Sequence, residues 1–321
     1  MSDAESFCPI PFLQLELKPT LEVSPCCFLP TYSAGNLGRE SLAAIWNGPK
    51  MQKLRGEFLD GIPKTCARKM KNIGCHKLQA HLLPHVVPER IQSLPPRRLD
   101  VRLNGLCNLS CVMCEVWQEP NGLYEATEFW TKGRATIFPH LLEIDILGGE
   151  PFIQKDTFRL IDEISAVNPK CTWGFITNAS WKWGPAIEDR LDRIALRYLQ
   201  VSLDSLDEDR YARIRRGGQF RRTFETLAKL LAYRDRRGFE LRLSQCVQQG
   251  NWDEIGSFLA FAKARNATPV FQFLDYPREM SLESLSVEKK REIWAALSEW
   301  QNVEALHPIR APINEALNRA K

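Results

Sequence analysis

The sequence predicts an α/β chain of parallel strands joined by helices, with a smaller cysteine-rich α+β region ahead of it. Three observations carry that reading. From residue 98 onward, short apolar runs alternate with stretches of helical period. Residues 84–97 hold four prolines, which disfavour both helix and central strand and so mark a boundary. Eight of the ten cysteines lie in the first 114 residues, with only Cys171 and Cys246 beyond.

Before the boundary, residues 12–19 alternate apolar and polar side chains and read as a strand, with 21–28 as its hairpin partner. Residues 41–47 and 49–59 read as two short helices, the second stopped by Gly61 and Pro63. After it, strands are expected at 98–104, 142–147, 171–177, 198–203, 240–247 and 269–274. Helices are expected at about 126–137, 156–167, 185–195, 219–236 and 252–265. Such alternation implies right-handed crossovers, and either an open doubly wound sheet or a partial barrel satisfies it. In both, the ligand site lies at the carboxyl ends of the strands. A late helix at 286–300 places Ile293, Ala296, Leu297 and Trp300 on one face.

With 321 residues, 44% hydrophobic and 26% charged, the chain is globular, and disordered, collagen-like and small disulfide-scaffold classes are excluded. Its 43 basic and 39 acidic residues give a net charge of +4, which by itself implies neither nucleic acid nor membrane. No run approaches the roughly 20 apolar residues of a membrane span, and Asp3 and Glu5 stand where a signal peptide would be basic. A soluble cytoplasmic protein is expected. In a reducing cytosol, clustered thiols more often bind metal or do redox work than form disulfides. Residues 210–242 carry eleven Arg and Lys against three acids, a pattern read as a solvated helix face with Phe224, Leu227, Leu230 and Leu231 buried. Nucleic acid is not an expected partner.

The first strand after the boundary leads into Cys107, Cys111 and Cys114, a C-x3-C-x2-C loop at the expected ligand-site end. Zinc and iron–sulfur clusters both want thiolates this close. A zinc site needs a fourth ligand, and the next histidine is His140; three ligands on a four-iron cluster leave one iron open.

This loop resembles the signature of radical S-adenosylmethionine (SAM) enzymes. The resemblance continues in order: Gly148-Gly149-Glu150-Pro151 after the second strand, Thr177-Asn178 after the third, Ser202-Leu203-Asp204 after the fourth, then residues 211–220. It covers residues 98–250 and implies a partial (β/α)6 barrel. Cys107, Cys111 and Cys114 would ligate three irons of a [4Fe-4S] cluster, and SAM would chelate the fourth. Gly148, Gly149, Glu150 and Pro151 would meet the SAM ammonium through backbone carbonyls, with Thr177 and Asn178 at the same end. Ser202 and Asp204 would hydrogen-bond the ribose hydroxyls or nearby polar groups, Arg215 would pair with the SAM carboxylate, and Met113 would lie near the adenine or simply pack. Reductive cleavage would give methionine and a 5′-deoxyadenosyl radical that takes a hydrogen atom from the substrate. An electron donor such as flavodoxin or ferredoxin is implied.

Cys8, Cys26, Cys66 and Cys75 resemble the auxiliary-cluster domain of the SPASM/twitch group, as does the 35–66 segment with its Ile45-Trp46-Asn47 and Leu54-Arg55 elements. A second [4Fe-4S] cluster on these four thiols is implied. The sequence departs from the family at Leu21, where a glycine is usual, and at Lys69, which replaces the second thiol of a C-x2-C pair. Cys27 or His76 are alternative ligands, and zinc is the alternative metal. The implied organisation is an auxiliary domain at 1–95, a radical SAM barrel at 96–280 and a helical extension at 281–321. A peptide or protein side chain is the first expected substrate class, with a sugar, nucleotide or other small molecule the rival. The absence of a winged-helix leader-binding pattern weighs against the peptide. Glu115, Cys246, Asp275 and Tyr276 are candidates for proton or hydrogen-atom exchange, against loop or packing roles. Outside enzymology, the rival is a zinc-binding interaction or RNA-binding module.

Overall fold

The computed structural model describes residues 7–319. The chain opens with a helical turn α1 (Ile10–Leu13) and strands β1 (Gln14–Leu17), β2 (Glu22–Ser24) and β3 (Gly35–Asn36). Helices α2 (Leu42–Trp46), α3 (Pro49–Leu59) and α4 (Ala67–Ile73) follow. The alternating part runs β4 (Arg98–Val101), α5 (Phe129–Thr136), β5 (Glu143–Ile146), α6 (Lys155–Val167), β6 (Thr172–Thr177), α7 (Pro185–Asp192) and β7 (Ala195–Ser202). It continues with α8 (Glu208–Ile214), α9 (Phe220–Arg237), β8 (Glu240–Val247), α10 (Ile255–Lys263) and β9 (Thr268–Phe273), and the chain closes with α11 (Val287–Leu297) and α12 (His307–Arg319). The fold class is α/β with mostly parallel pairing, as expected. Four helices go beyond the sequence reading: α1, where the expected strand of 12–19 begins only at Gln14, α4, and two in the later part of the chain. Of the later two, one is α8, which ends at the Arg215–Gly218 turn, and the other is α12.

The chain divides into two compact units. One comprises the described residues of 1–106 with 118–175 and 185–196; the other comprises 107–117, 176–184 and the described residues of 197–321.

In the first unit the strand order is β3-β2-β1-β4-β5-β6. The hairpin of β1 and β2 is antiparallel, while β1 also pairs in parallel with β4, and β4 with β5. The prolines of 84–97 therefore mark no break in the sheet. Register sorts the side chains into two faces. Leu15, Leu99, Ile144 and Trp173 lie in one row and Leu17, Val101, Ile146 and Phe175 in the next, and each is at most 2% exposed. Gln14, Arg98 and Glu143, then Glu16, Asp100 and Asp145, make the corresponding rows of the other face, and these too are buried. Alternation on a strand usually separates core from solvent. Here both faces are inside.

The Ile45-Trp46-Asn47 and Leu54-Arg55 elements tie the first unit together. Ser41 caps α2 through Ala44 N–H, and Pro49 opens α3. Trp46 Nε1 donates to Leu94 O, and Asn47 exchanges hydrogen bonds with the Gln92 backbone. Arg55, buried without a carboxylate partner, donates to the carbonyls of Pro11, Trp46 and Arg90 and stacks over the Trp46 ring at 4.2 Å. Helix α6 buries Leu160, Ile161 and Ile164, each stabilising by about 1.5–3 kcal/mol.

In the second unit β7, β8 and β9 are parallel. Helix α9 buries Thr223, Thr226, Leu227, Leu230 and Tyr233 and ends at Gly238, whose φ is +75°. Phe224 and Leu231 are half-buried, while Arg221, Arg222 and Lys229 are exposed, so the basic stretch is a solvated face. Of the late-helix face, Ile293 and Leu297 are buried, Ala296 and Trp300 half-buried. No described helix is long and apolar enough to cross a membrane.

Candidate functional site

In the first unit, Cys8, Cys26, Cys66 and Cys75 line one apolar pocket with Leu54 and Met70. Burial pushes the Cys8 and Cys66 thiols up to about 12, and each of these four thiols lies within electrostatic reach of at least one other. Burial raises the Cys75 thiol as well, opposed by backbone hydrogen bonds and last by Lys69, which replaces a ligand of the family pattern and lies on the same pocket. Cys27 faces elsewhere. It is exposed yet enclosed by protein, and that enclosure, followed by the Asp100 and Glu16 carboxylates, pushes its thiol up to about 12. His76 is buried, and neither ring nitrogen has a hydrogen-bond partner among the described residues. Leu21 has φ +63°, the left-handed conformation that favours glycine, and it holds the β1–β2 turn through Leu21 N–H to Lys18 O and Leu37 N–H to Leu21 O.

The turn after β5 also belongs to the first unit. Gly148 and Gly149 have φ +82° and +56°. A Cβ on Gly148 would meet the Arg102 side chain at 2.4 Å, and one on Gly149 would meet Leu106 O at 2.3 Å. Glu150 N–H donates to Leu106 O, and Gln154 Nε2 bridges Leu106 O and Gly148 O. Glycine is favoured at both positions by the positive φ, and a Cβ would strike the Arg102 side chain at 148 and a backbone carbonyl at 149. Pro151 is buried and opens the turn of helix that follows.

In the second unit, the cysteine loop hangs on the segment after α8. Ser110 N–H donates to Arg216 O and Val112 N–H to Ile214 O, while Cys114 N–H donates back to Cys111 O. Asn178 Nδ2 donates to Cys107 Sγ at 3.7 Å and to Asn108 Oδ1 at 2.9 Å. Leu109 N–H also points at Cys107 Sγ, at 3.4 Å. A Cβ on Gly217 would meet Asn108 O at 3.2 Å, so this glycine lets the turn close on the loop, while one on Gly218 would meet the Tyr211 hydroxyl of α8 at 2.9 Å.

Arg215 leaves that turn to meet Asp204, Nη2 to Oδ2 at 2.8 Å, and both are buried. Asp204 has φ +62°, and its Oδ1 accepts from Cys246 N–H at 2.7 Å. The carboxylate is thus engaged inside the protein, whereas Arg215 Nε has no hydrogen-bond partner among the described residues. The Asp204 carboxylate keeps the guanidinium cationic despite burial. Burial pushes the Cys111 thiol up to about 11 against the pull of Arg215, and it raises Cys246 as well, with Asp204 next. Buried neutral thiols of this kind ionise when a cationic metal centre compensates them.

The remaining candidates are less concentrated. Thr177 Oγ1 accepts from Ala179 N–H and Trp181 Nε1, shaping the turn behind Asn178. Ser202 Oγ accepts from Ser244 Oγ at 3.3 Å. Met113 is half-buried; Glu115, Asp275 and Tyr276 are exposed, and Asp275 lies within electrostatic reach of Cys246. The sequence reading missed the Asp204–Arg215 pair, whose members lie eleven residues apart across α8. It did single out each residue alone.

Residues 101–238 match the radical SAM superfamily, and residues 8–71 match an iron–sulfur cluster-binding domain, SPASM. The chain thus carries a radical SAM domain, with a SPASM domain ahead of it. Both domains are iron–sulfur modules, which speaks for that chemistry over a zinc-binding interaction module. A radical SAM domain works with a [4Fe-4S] cluster and SAM, and a SPASM domain holds auxiliary iron–sulfur clusters. The residues present suit such groups: four thiols line one pocket in the first unit, and Cys107 and Cys114 lie within electrostatic reach of Cys111 in the second. Among curated proteins, the chain is similar to GTP 3′,8-cyclase of Clostridium botulinum, 30% identical over 175 residues, covering 51% of this chain and 52% of that one. The Staphylococcus carnosus GTP 3′,8-cyclase is 25% identical over 227 residues, covering 67% and 65%. The chain thus spans about half the length of the first of these relatives. Among solved structures, Streptococcus suis SuiB bound to precursor peptide SuiA aligns with TM-score 0.48 at 15% identity, covering 81% of this chain and 62% of that one.

Proposed function

We propose that this radical SAM protein reductively cleaves SAM and uses the 5′-deoxyadenosyl radical to abstract a hydrogen atom from an organic substrate. The observation that carries it is the cysteine loop of the second unit, hung on the Ile214 and Arg216 carbonyls beside Arg215, whose Nε is unpartnered. Cys107, Cys111 and Cys114 hold the radical-generating cluster. Arg215, aimed by Asp204, receives the SAM carboxylate through the free edge of its guanidinium, which is suited to that geometry. Asn178 fixes Cys107 through its amide. Cys8, Cys26, Cys66 and Cys75 hold the auxiliary cluster, and their apolar pocket excludes water. When bound, the cluster and SAM supply the electron transfer and the radical; the protein's part is to position them and keep the site dry.

The test is iron and sulfide content on anaerobically purified protein, with 5′-deoxyadenosine formation under dithionite and SAM. The wild type is expected to hold about eight irons and to form 5′-deoxyadenosine, while Cys107→Ala/Cys111→Ala/Cys114→Ala holds about four and forms none. Product formation by the triple variant overturns the reading. A nucleotide substrate is the second reading, favoured by the similarity to GTP 3′,8-cyclases; GTP consumption under the same conditions tests it.

A further inference from the structure

The buried polar face of β1, β4 and β5 has no part in the reading above. It carries four carboxylates, Glu16, Asp100, Glu143 and Asp145, against two guanidiniums, Arg98 and Arg102. Both guanidiniums are committed. Arg98 pairs with Asp100, Glu143 and Asp145, and Arg102 with Glu16. Half-exposed His81 meets Glu143 at 2.8 Å, and even its protonation leaves an excess of negative charge. Burial first, then Asp145 and Glu16 against the pull of Arg98, raises the Asp100 carboxyl.

Two acceptors there lack partners. Ser24 stands opposite Glu16 in the antiparallel register, so both side chains share this face, and both residues are fully buried. Neither Ser24 Oγ nor Glu16 Oε2 has a hydrogen-bond partner among the described residues. Native proteins rarely leave such atoms unmade, and polar cavities at functional sites are where they do. Cys27 lies within electrostatic reach of Glu16 and Asp100 at one end of this face. The face also reaches the carboxyl ends of the strands, because the Arg102 side chain packs on Gly148.

We propose that this face recognises the substrate through a cationic group, an ammonium or guanidinium, whose N–H donors meet Glu16 Oε2 and Ser24 Oγ. The inference rests on the radical SAM reading and names the substrate class of that enzyme. A triphosphate is the wrong sign for the face: among the described residues it would meet four carboxylates and find both guanidiniums paired. Arg102 Nε, also unpartnered, offers one donor to an oxygen beside the cation.

The experiment is anaerobic calorimetric titration of reconstituted, SAM-saturated protein with 1,4-diaminobutane, methylguanidine, a blocked Gly-Lys-Gly peptide and GTP. At least one cation is expected to bind, with Kd raised tenfold or more by Glu16→Gln and about threefold by Ser24→Ala. Ser24→Ala leaves the Arg102 pair intact, and unchanged iron content and melting temperature identify variants that fold. A free cation that binds while the peptide does not assigns a small-molecule substrate, and the reverse assigns a side chain. The proposal is overturned if no cation binds, if both variants bind within twofold of wild type, or if GTP binds more tightly than every cation. SAM cleavage by the same wild-type preparation is read separately. Cleavage without cation binding sinks this inference alone, and cation binding without cleavage sinks the radical reading beneath it.

Discussion

Asp204 Oδ2 lies 2.8 Å from Arg215 Nη2 in a buried pair, and Asp204 Oδ1 takes the Cys246 N–H, so one carboxylate orients the guanidinium and anchors β8. Asp204→Asn removes the charge and keeps the shape. We expect it to weaken SAM binding about tenfold, equivalent to about 1.4 kcal/mol. Breaking a buried pair also lowers stability by about 3–5 kcal/mol. Anaerobic SAM titration and thermal melts measure both; SAM affinity unchanged in a folded variant removes Arg215 from the site.

Gly149→Ala places a Cβ against a backbone carbonyl that has no room to move, at a positive φ. The expected loss is about 2 kcal/mol or more, with 5′-deoxyadenosine formation abolished. Gly184→Ala is the matched control, because nothing lies within 4 Å of its Cβ. The idea fails if the two variants melt alike.

Leu21 pays for its left-handed conformation with about 1–2 kcal/mol. Leu21→Gly relieves that strain and loses part of the gain to chain entropy, so a melting temperature equal to or above wild type is expected. Leu21→Val, β-branched, is expected to lose about 1 kcal/mol or more. A Gly variant less stable than the Val variant contradicts the assignment of strain.

Cys26 faces the four-thiol pocket, whereas Cys27 faces Glu16 and Asp100. Cys26→Ser is expected to lose about four irons, and Cys27→Ser to keep them. Iron and sulfide assays on the two single variants decide it, and the reverse result reassigns the ligand.

Much of this molecule is legible in its sequence because the relevant chemistry is local. Thiolates bound to one cluster must be close, so C-x3-C-x2-C announces itself, and the glycines at 148 and 149 stand where φ is positive and a Cβ has no room. The period of apolar residues locates the strands from β4 to β9 to within a few residues, because side-chain direction repeats every two residues on a strand. Even Leu21 was visible as a departure, although only its φ shows that the departure keeps the glycine's conformation.

The rest depends on partners distant in the chain. Adjacent Cys26 and Cys27 look equivalent until the chain turns one toward the thiols and the other toward the carboxylates. Asp204 and Arg215 become a pair only when α8 returns the chain over the β7 end. Alternation along residues 14–17 and 98–101 distinguished two faces without saying which met water. Parallel pairing of β1 with β4, across more than eighty residues, buried the polar one as well. A strand's period records which side chains share a face, and only the tertiary neighbours decide what each face meets.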